Sequence, residues 1–150
     1  MPYIITQETY ALIPVGKKTK IIEREKIIIV NETPAEVVST NCIINGSSLE
    51  GRQKGSSYLI GTTYKPPIII NDRDNIVLLP THSIRNNECI WINLNSILNY
   101  IKNMDKTTIL EFKNKKKINL KVSFTIFDKQ VLKATRLEST LRGRNNQKYL

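Results

Sequence analysis

The chain has 150 residues, of which 40% are hydrophobic and 24% charged, with only 6 Gly and 6 Pro. This length suits one domain with a hydrophobic core, and this composition excludes a disordered or collagen-like chain. Lys and Arg number 23 against 13 Asp and Glu, and the net charge of +10 favours a polyanionic partner. Nucleic acid is the first such partner to consider, and an anionic membrane surface is the second.

The sequence gives no sign of insertion into a membrane or of export. No apolar run approaches the roughly 20 residues of a membrane span, and the first residues lack the pattern of a signal peptide. The two cysteines, Cys42 and Cys89, form no CxxC pair. We therefore expect a cytoplasmic protein with reduced thiols, no membrane partner and no cofactor.

The N-terminal third predicts a hairpin followed by a helix. Residues 10–15 and 25–30 are β-branched runs that flank a basic turn at residues 17–20. Thr33, Pro34 and Glu36 form a capping box with proline at the first helical position, which predicts a helix to about Asn41. With no internal repeat and no long polar linker, we expect a single domain over residues 1–150.

The middle of the chain predicts a glycine-rich connector and then a buried hairpin. Four of the six glycines lie at positions 46, 51, 55 and 61, with Arg52 and Lys54 among them. Such clustering indicates a tight backbone or the close approach of a ligand. The apolar residues 68–70 and 76–79 then predict two buried strands.

The last third predicts a short strand, a helix, a hairpin and a final helix. Residues 90–92 suit a strand, and Asn95 or Ser96 can cap a helix that carries Ile97, Leu98 and Ile101 on one face. Residues 107–112 and 117–122 alternate around a basic turn. An apolar stripe from Phe124 to Leu141 predicts an amphipathic helix ended by Gly143. The predicted fold class is α+β, with antiparallel hairpins and a few helices.

The glycine spacing of residues 46–53 is that of a phosphate-binding loop, but the chemistry is not. That motif needs Lys followed by Ser or Thr after its second glycine, whereas this chain has Arg52 and Gln53. We therefore exclude nucleotide hydrolysis. Two interpretations remain: a structural connector, or a loop that lays backbone amides and two cations against a nucleic-acid phosphate.

Catalytic and metal sites have little support. Glu111 and Lys113 match half of a metal-dependent nuclease site, but a second carboxylate such as Asp105 would have to converge on them. An exposed charged pair on a hairpin is the preferred interpretation. Cys42, His82 and Cys89 are three candidate zinc ligands where structural zinc normally needs four. We expect neither an enzyme nor a metal site, and the nuclease remains an alternative.

The cations are concentrated towards the C-terminus. Residues 102–121 contain seven cations and two acids, and residues 133–150 contain five cations and one acid. A charge run is more often a solvated face than a binding site. Aromatic residues do not alternate with these cations as a single-strand stacking surface requires, so duplex is the favoured nucleic acid.

Four ordered motifs resemble the ComK family of competence transcription factors of Gram-positive bacteria. They are residues 41–52 (NCIINGSSLEGR), 64–68 (YKPPI), 79–81 (LPT) and 89–92 (CIWI). The resemblance covers roughly residues 9–144. It implies a cytoplasmic activator of DNA-uptake genes that binds paired A/T-tract boxes as a homo-oligomer, largely through the minor groove, bends the DNA and helps RNA polymerase.

The resemblance and the charge pattern together give seven candidate DNA-binding residues. Matched to the family motifs, Arg52 and Lys54 are the first candidates and Lys65 is the next. Charge alone adds four more cations: Arg85, Lys115, Lys116 and Lys117. A cation inserted into the narrow, strongly negative minor groove of an A-tract reads its shape without a recognition helix.

The chain departs from the family pattern at two places. Family members run on past the final helix into a tail that an adaptor and a protease recognise, and the sequence here stops at Leu150. We therefore do not expect such control, and a shortened, non-activating modulator of a full-length relative is a further alternative. Ile90 stands where the family has a small residue, so the resemblance is looser around Trp91.

Overall fold

A computed structural model describes residues 1–147, with side chains through Arg144, and forms two antiparallel sheets and three helices. The strands are β1 (Thr9–Val15), β2 (Lys18–Glu23), β3 (Ile27–Val30), β4 (Ile68–Asn71), β5 (Ile76–Pro80), β6 (Trp91–Asn93), β7 (Ile97–Lys102), β8 (Thr108–Phe112) and β9 (Lys117–Leu120). The helices are α1 (Pro34–Ile44), α2 (Leu49–Ile60) and α3 (Phe124–Gln147). One sheet has the order β3-β2-β1-β6-β5-β4 and the other β7-β8-β9. The α+β prediction is confirmed.

The six-stranded sheet is covered on both faces, because its strands alternate apolar side chains between two cores. On one face, Leu12 and Trp91 pack into a cluster with Val38 of α1. On the other face, a second cluster joins the sheet to Phe112 of the small sheet and Phe127 of α3. Helix α2 contacts β4, α1 and α3, so it covers the β4 edge.

The strand register defines two ends of the six-stranded sheet. Trp91 of β6 pairs with Leu12 of β1 on one side and with Pro80 of β5 on the other. Thr81, which follows Pro80, and the β1–β2 turn therefore lie at the same end of the sheet, which we call the Thr81 end. The β2–β3 turn and the β4–β5 turn share the other end, the Asn75 end. There the Gln7 side chain donates hydrogen bonds to the carbonyls of Asp74 and Asn75, at 2.7 and 3.1 Å.

The first hairpin prediction is wrong in its pairing. The chain turns back at Gly16, whose φ of +60° suits glycine, and β1 pairs with β2 rather than with residues 25–30. The predicted basic turn is largely strand, because buried Thr19 and Ile21 alternate with Lys18 and Lys20. Residues 25–30 instead supply β3, a third strand on the far side of β2.

The first helix prediction is confirmed. The Thr33 hydroxyl accepts a hydrogen bond from the Glu36 amide, and the Glu36 carboxylate accepts one from the Thr33 amide. This reciprocal cap fixes the start of α1. The helix runs three residues beyond the predicted end, to Ile44.

The predicted glycine-rich connector is instead mostly helix α2. The Ser48 hydroxyl caps its start by accepting from the Gly51 amide at 2.9 Å, and Gly61, with a φ of +70°, ends it. Gly51 and Gly55 lie inside the helix. Two of the four glycines therefore serve turns, at positions 46 and 61, and two serve a helix face.

The remaining predictions are confirmed with two corrections. Strands β4, β5, β6, β8 and β9 lie where predicted. The helix predicted after Asn95 is a single 3-10 turn, Leu94–Ser96, followed by β7, because residues 97–102 pair with β8. Helix α3 buries the predicted stripe but passes through Gly143, whose backbone is not in the left-handed conformation that ends a helix. Across the described residues, no helix is both long and apolar enough to span a membrane.

Candidate nucleic-acid interface

Arg52 lies near the start of α2 and faces the end of α1. Its side chain is half-buried, and Nη2 donates to the Asn45 carbonyl at 3.4 Å. A cation at this position interacts favourably with the unpaired carbonyls at the C-terminus of a helix. The structure therefore gives Arg52 a contact that links α1 to α2.

Lys54 lies on another side of the same helix, because residues two positions apart do not face each other on an α-helix. It is exposed and forms an ion pair with Glu50 at 3.2 Å. The exposed face also carries Gly51, Gly55 and Tyr58, whose side chain is 89% exposed. A Cβ added at Gly55 would meet no atom within 4 Å, so this face is open to close approach by a large partner.

Lys65 lies at the Thr81 end of the sheet, where three segments of the chain meet. The buried side chain of Gln130, on α3, donates to the carbonyls of Lys65 and Pro80 at 3.0 and 2.8 Å. The Lys65 ammonium donates to the Thr81 carbonyl at 3.5 Å. Three segments distant in sequence meet here, and we call Lys65, Thr81, Gln130 and Lys133 the Lys65 junction.

The backbone of Lys65 is also unusual. Its φ is +47°, a conformation that L-residues other than Asn and Asp rarely adopt. Such strain persists only where the surroundings hold it, and it is concentrated at functional sites. The two Gln130 hydrogen bonds and the Pro66–Pro67 pair that follows supply that support here.

Two lysines, Lys65 and Lys133, lie close together at the Lys65 junction, and Lys129 lies one helical turn from Lys133. The Lys133 ammonium donates to the Tyr64 carbonyl at 2.8 Å, and the Lys65 ammonium lies 5.3 Å from the centre of the Tyr64 ring. Burial lowers the pKa of Lys65, and burial followed by the positive charges of Lys65 and Lys129 lowers the pKa of Lys133. Within the part of the chain with described side chains, these lysines form no ion pair. The junction therefore carries uncompensated positive charge.

The family motifs predicted Lys65, but no motif in the sequence predicted its neighbour Lys133 on α3. Lys129 and Lys133 are four residues apart, a spacing that puts both on one helix face. That spacing was the available signal. The local sequence does not indicate which strand or loop this helix face contacts. Gln130, which makes that contact, has no feature in the sequence that distinguishes it from other polar residues.

The other predicted cations lie elsewhere. Arg85 is exposed in the loop between β5 and β6. Lys115, Lys116 and Lys117 lie at the β8–β9 turn, where Lys115 has a φ of +73°. Asn114 in this turn donates to the Arg24 carbonyl of the β2–β3 turn at 3.0 Å, so these lysines lie at the Asn75 end. The structure does not bring the seven predicted residues into one patch.

The nuclease geometry does not form. Asp105 lies in the β7–β8 turn, where its carboxylate accepts from Thr107, and Lys113 follows β8. The length of β8, about 17 Å for five residues, separates the two turns. Glu111 is half-buried and its neighbours Leu110 and Phe112 point into the core, which places Glu111 on the outer face. Asp105 cannot complete a site with Glu111 and Lys113.

The three candidate zinc ligands do not form a metal site either. Cys42 lies on the buried face of α1, and burial raises its pKa to about 11. Cys89 donates to the His82 carbonyl at 3.2 Å, and burial raises its pKa too. Over the described residues, no three His, Cys, Asp or Glu side chains are grouped as metal ligands would be.

Comparisons with known proteins agree with the four motifs. Residues 1–146 match the model of a family described as ComK protein. The competence transcription factor of Bacillus subtilis (strain 168) is 30% identical over 146 residues, which are 95% of this chain and 76% of the relative. No solved structure was found to match the chain.

Proposed function

The chain belongs to the ComK family of competence transcription regulators, and from this premise we propose that it binds double-stranded DNA and activates competence genes in the cytoplasm. The net charge of +10 suits a polyanion. This activity needs a surface that binds phosphates and recognises sequence, and we assign that surface to α2 and the Lys65 junction.

The observation that carries this assignment is the convergence of Lys65 and Lys133, which form no ion pair among the described side chains. Burial, and after it repulsion from the like charges of Lys65 and Lys129, disfavours the charged form of Lys133 and lowers its pKa. An anion placed between them relieves that repulsion. A phosphate backbone supplies such anions at regular spacing, and duplex DNA is therefore a fitting ligand.

Helix α2 extends this surface along the β4 edge. Gly51 and Gly55 leave its outer face without bulky side chains, and Lys54 and Tyr58 stand beside them. A flat face with one cation and one aromatic residue allows the wall of a groove to approach the helix backbone. Lys54 then contacts phosphate, while Arg52 holds α2 against α1.

Recognition of A/T tracts is the finer part of the proposal. The narrow minor groove of an A-tract concentrates negative potential and attracts an inserted cation. Lys65 precedes two prolines and its backbone is held in one conformation. Inserting its side chain into the groove therefore costs little backbone entropy. Arg85, Lys115, Lys116 and Lys117 add phosphate contacts that carry no sequence information. Binding to paired boxes needs a homo-oligomer. Activation of transcription needs contact with RNA polymerase.

Paired methionine substitutions test the assignment. We expect Lys65→Met with Lys133→Met to lower affinity for a duplex with A/T-tract boxes by about tenfold or more. Methionine keeps an unbranched apolar stem and removes the charge. The matched control is Lys102→Met, an exposed lysine on β7, which should change affinity by less than about twofold.

Folding must be separated from binding, because Lys133 also donates to the Tyr64 carbonyl. Lys133→Arg keeps both a charge and a donor, and it should retain binding. Circular dichroism confirms that each variant is folded. Equal losses in the double variant and the Lys102 control would overturn the assignment to the Lys65 junction.

A further inference from the structure

Two tyrosines among the described residues are exposed, and one of them, Tyr64, directly precedes Lys65. Tyr3, Tyr10 and Tyr100 are buried or half-buried, whereas Tyr58 and Tyr64 are 89% and 65% exposed. Within the part of the chain with described side chains, the Tyr64 ring belongs to neither hydrophobic cluster. The core therefore does not depend on this ring.

The backbone that carries Tyr64 is nevertheless held firmly. The Lys133 ammonium donates to the Tyr64 carbonyl at 2.8 Å, and the Gln130 side chain donates to the Lys65 carbonyl at 3.0 Å. Both donors belong to α3, and the buried Pro66–Pro67 pair follows directly. An exposed ring on an anchored backbone loses little conformational freedom when it binds, which favours a role in recognition.

The surroundings of the Tyr64 ring are cationic. The Lys65 ammonium lies 5.3 Å from the ring centre, within the range of a cation–π contact. Neither Lys65 nor Lys133 forms an ion pair among the described side chains. An aromatic surface therefore lies beside uncompensated positive charge. Proteins hold nucleotides with this combination, because the cation binds the phosphate while the ring stacks on the base.

We propose that Tyr64 is a base-contacting residue, whose ring inserts at a flexible pyrimidine–purine step while Lys65 and Lys133 bind the phosphates beside it. This inference rests on the proposed function, because it takes duplex DNA as the ligand. An uncharged ring is not attracted to a phosphate, so the face of a base is its favourable partner. Pyrimidine–purine steps such as TA unstack most easily, and side chains inserted from the minor groove exploit this.

Tyr64 then supplies a selectivity that the lysines do not. Contacts from cations to phosphates carry no sequence information. A ring that opens a base step selects the sequences in which opening costs least, so a TA step beside an A-tract is the preferred target.

The other exposed tyrosine is less suited to this role. Tyr58 lies on the same face of α2 as Lys54, four residues earlier, and the charge of Lys54 is compensated by Glu50 at 3.2 Å. Tyr58 therefore lacks the unpaired cation that accompanies Tyr64.

Fluorescence of 2-aminopurine tests the role of Tyr64, because this adenine analogue brightens when it leaves the base stack. The probe replaces the adenine of one TA step beside an A-tract, and saturating wild-type protein should raise its fluorescence. Tyr64→Ala should abolish the rise at saturation and lower affinity by about fivefold or more. Tyr64→Phe keeps the ring and should behave as the wild type does.

The matched control is Ile29→Ala on β3, which shortens a side chain that is 55% exposed. Strand β3 is the edge of the large sheet opposite β4, so this variant should raise the fluorescence as the wild type does. Circular dichroism confirms that each variant is folded.

The salt dependence of binding separates stacking from charge. Tyr64→Ala removes no charge and keeps the carbonyl that Lys133 binds, so the slope of log affinity against log salt should match the wild type. A smaller slope would show that the ring acts only by holding Lys65 in place, and would overturn the inference.

The fluorescence results also distinguish this inference from the proposed function. An equal rise with the wild type and with Tyr64→Ala would overturn the role of Tyr64 while leaving DNA binding intact. The same holds for a wild type that saturates the duplex without any rise. A wild type that binds no duplex would contradict the proposed function, and the inference with it.

Discussion

At the scale of single residues, Arg52 and Lys54 are neighbours in sequence with different roles. Arg52 is half-buried against the end of α1, and Lys54 is exposed. We expect Arg52→Ala to destabilise the fold by about 1 kcal/mol, through lost packing and a lost contact with the Asn45 carbonyl, and to lower Tm by about 2–4 °C. Thermal unfolding measures this change.

Lys54→Ala is the matched control for Arg52→Ala. An exposed ion pair between residues four apart on a helix contributes about 0.5 kcal/mol or less, so the Tm should stay close to that of the wild type. Equal Tm values for the two variants would contradict the separate roles.

The lysines of the junction predict a dependence on pH. The pKa values of Lys65 and Lys133 lie below that of an ordinary lysine, because burial disfavours the charged form. As the pH rises, these two groups lose their protons before exposed lysines do, and DNA affinity should fall with them. Fluorescence anisotropy between pH 7 and about pH 9.5 should show an earlier decline in the wild type than in Lys65→Met with Lys133→Met.

Stability changes with pH in the opposite direction to DNA affinity: it rises as these two lysines lose their protons. The unfolded chain holds these two protons more tightly than the folded chain does, so charging them opposes folding below their folded pKa. This penalty is relieved as the pH rises through that value. A wild-type decline in DNA affinity identical to that of the double variant would show that these lysines do not titrate at the interface.

At the scale of elements, α2 is helical despite a sequence that disfavours it. A glycine in a helix interior costs about 0.5–1 kcal/mol relative to alanine, and a Cβ at Gly55 meets nothing within 4 Å. Gly55→Ala should therefore raise Tm. Gly61→Ala should lower it, because Gly61 ends the helix with a φ of +70°. Differential scanning calorimetry distinguishes these results, and shifts in the same direction would contradict this description of α2.

Local patterns predicted the elements whose signals agree with their surroundings. The capping box of α1, the alternation of β8 and β9 and the stripe of α3 were sufficient. They were not sufficient for α2, because its glycines favour a loop. In the structure, Ser48 caps the start of this helix and Ile60 packs into the core, and both contacts stabilise it. Residues 97–102 were predicted as a helix from a cap and an apolar face, and their pairing with β8 makes them a strand instead.

At the scale of the whole molecule, the candidate site depends on contacts that local sequence does not encode. Lys65 was predicted from the family motif, but Lys133 lies beside it because α3 bonds to this loop at two carbonyls, that of Lys65 through Gln130 and that of Tyr64 through Lys133 itself. Arg52 and Lys65 were predicted together, yet α2 holds them near its opposite ends. Folding brings together cations that are distant in sequence and separates cations that are close in sequence. The charge runs therefore indicated a class of ligand, a polyanion, but not which surface binds it.

Fluorescence anisotropy of the chain on two duplexes measures directly whether this protein binds DNA sequence-selectively. One carries two spaced A/T-tract boxes and the other is GC-rich, and salt is raised from low to physiological. The affinity for both should fall steeply with salt, while the preference for the A/T boxes persists. Equal affinity for the two duplexes at every salt concentration would contradict sequence-selective binding. A folded chain that binds neither duplex would contradict DNA binding itself and favour a modulator that acts on a relative.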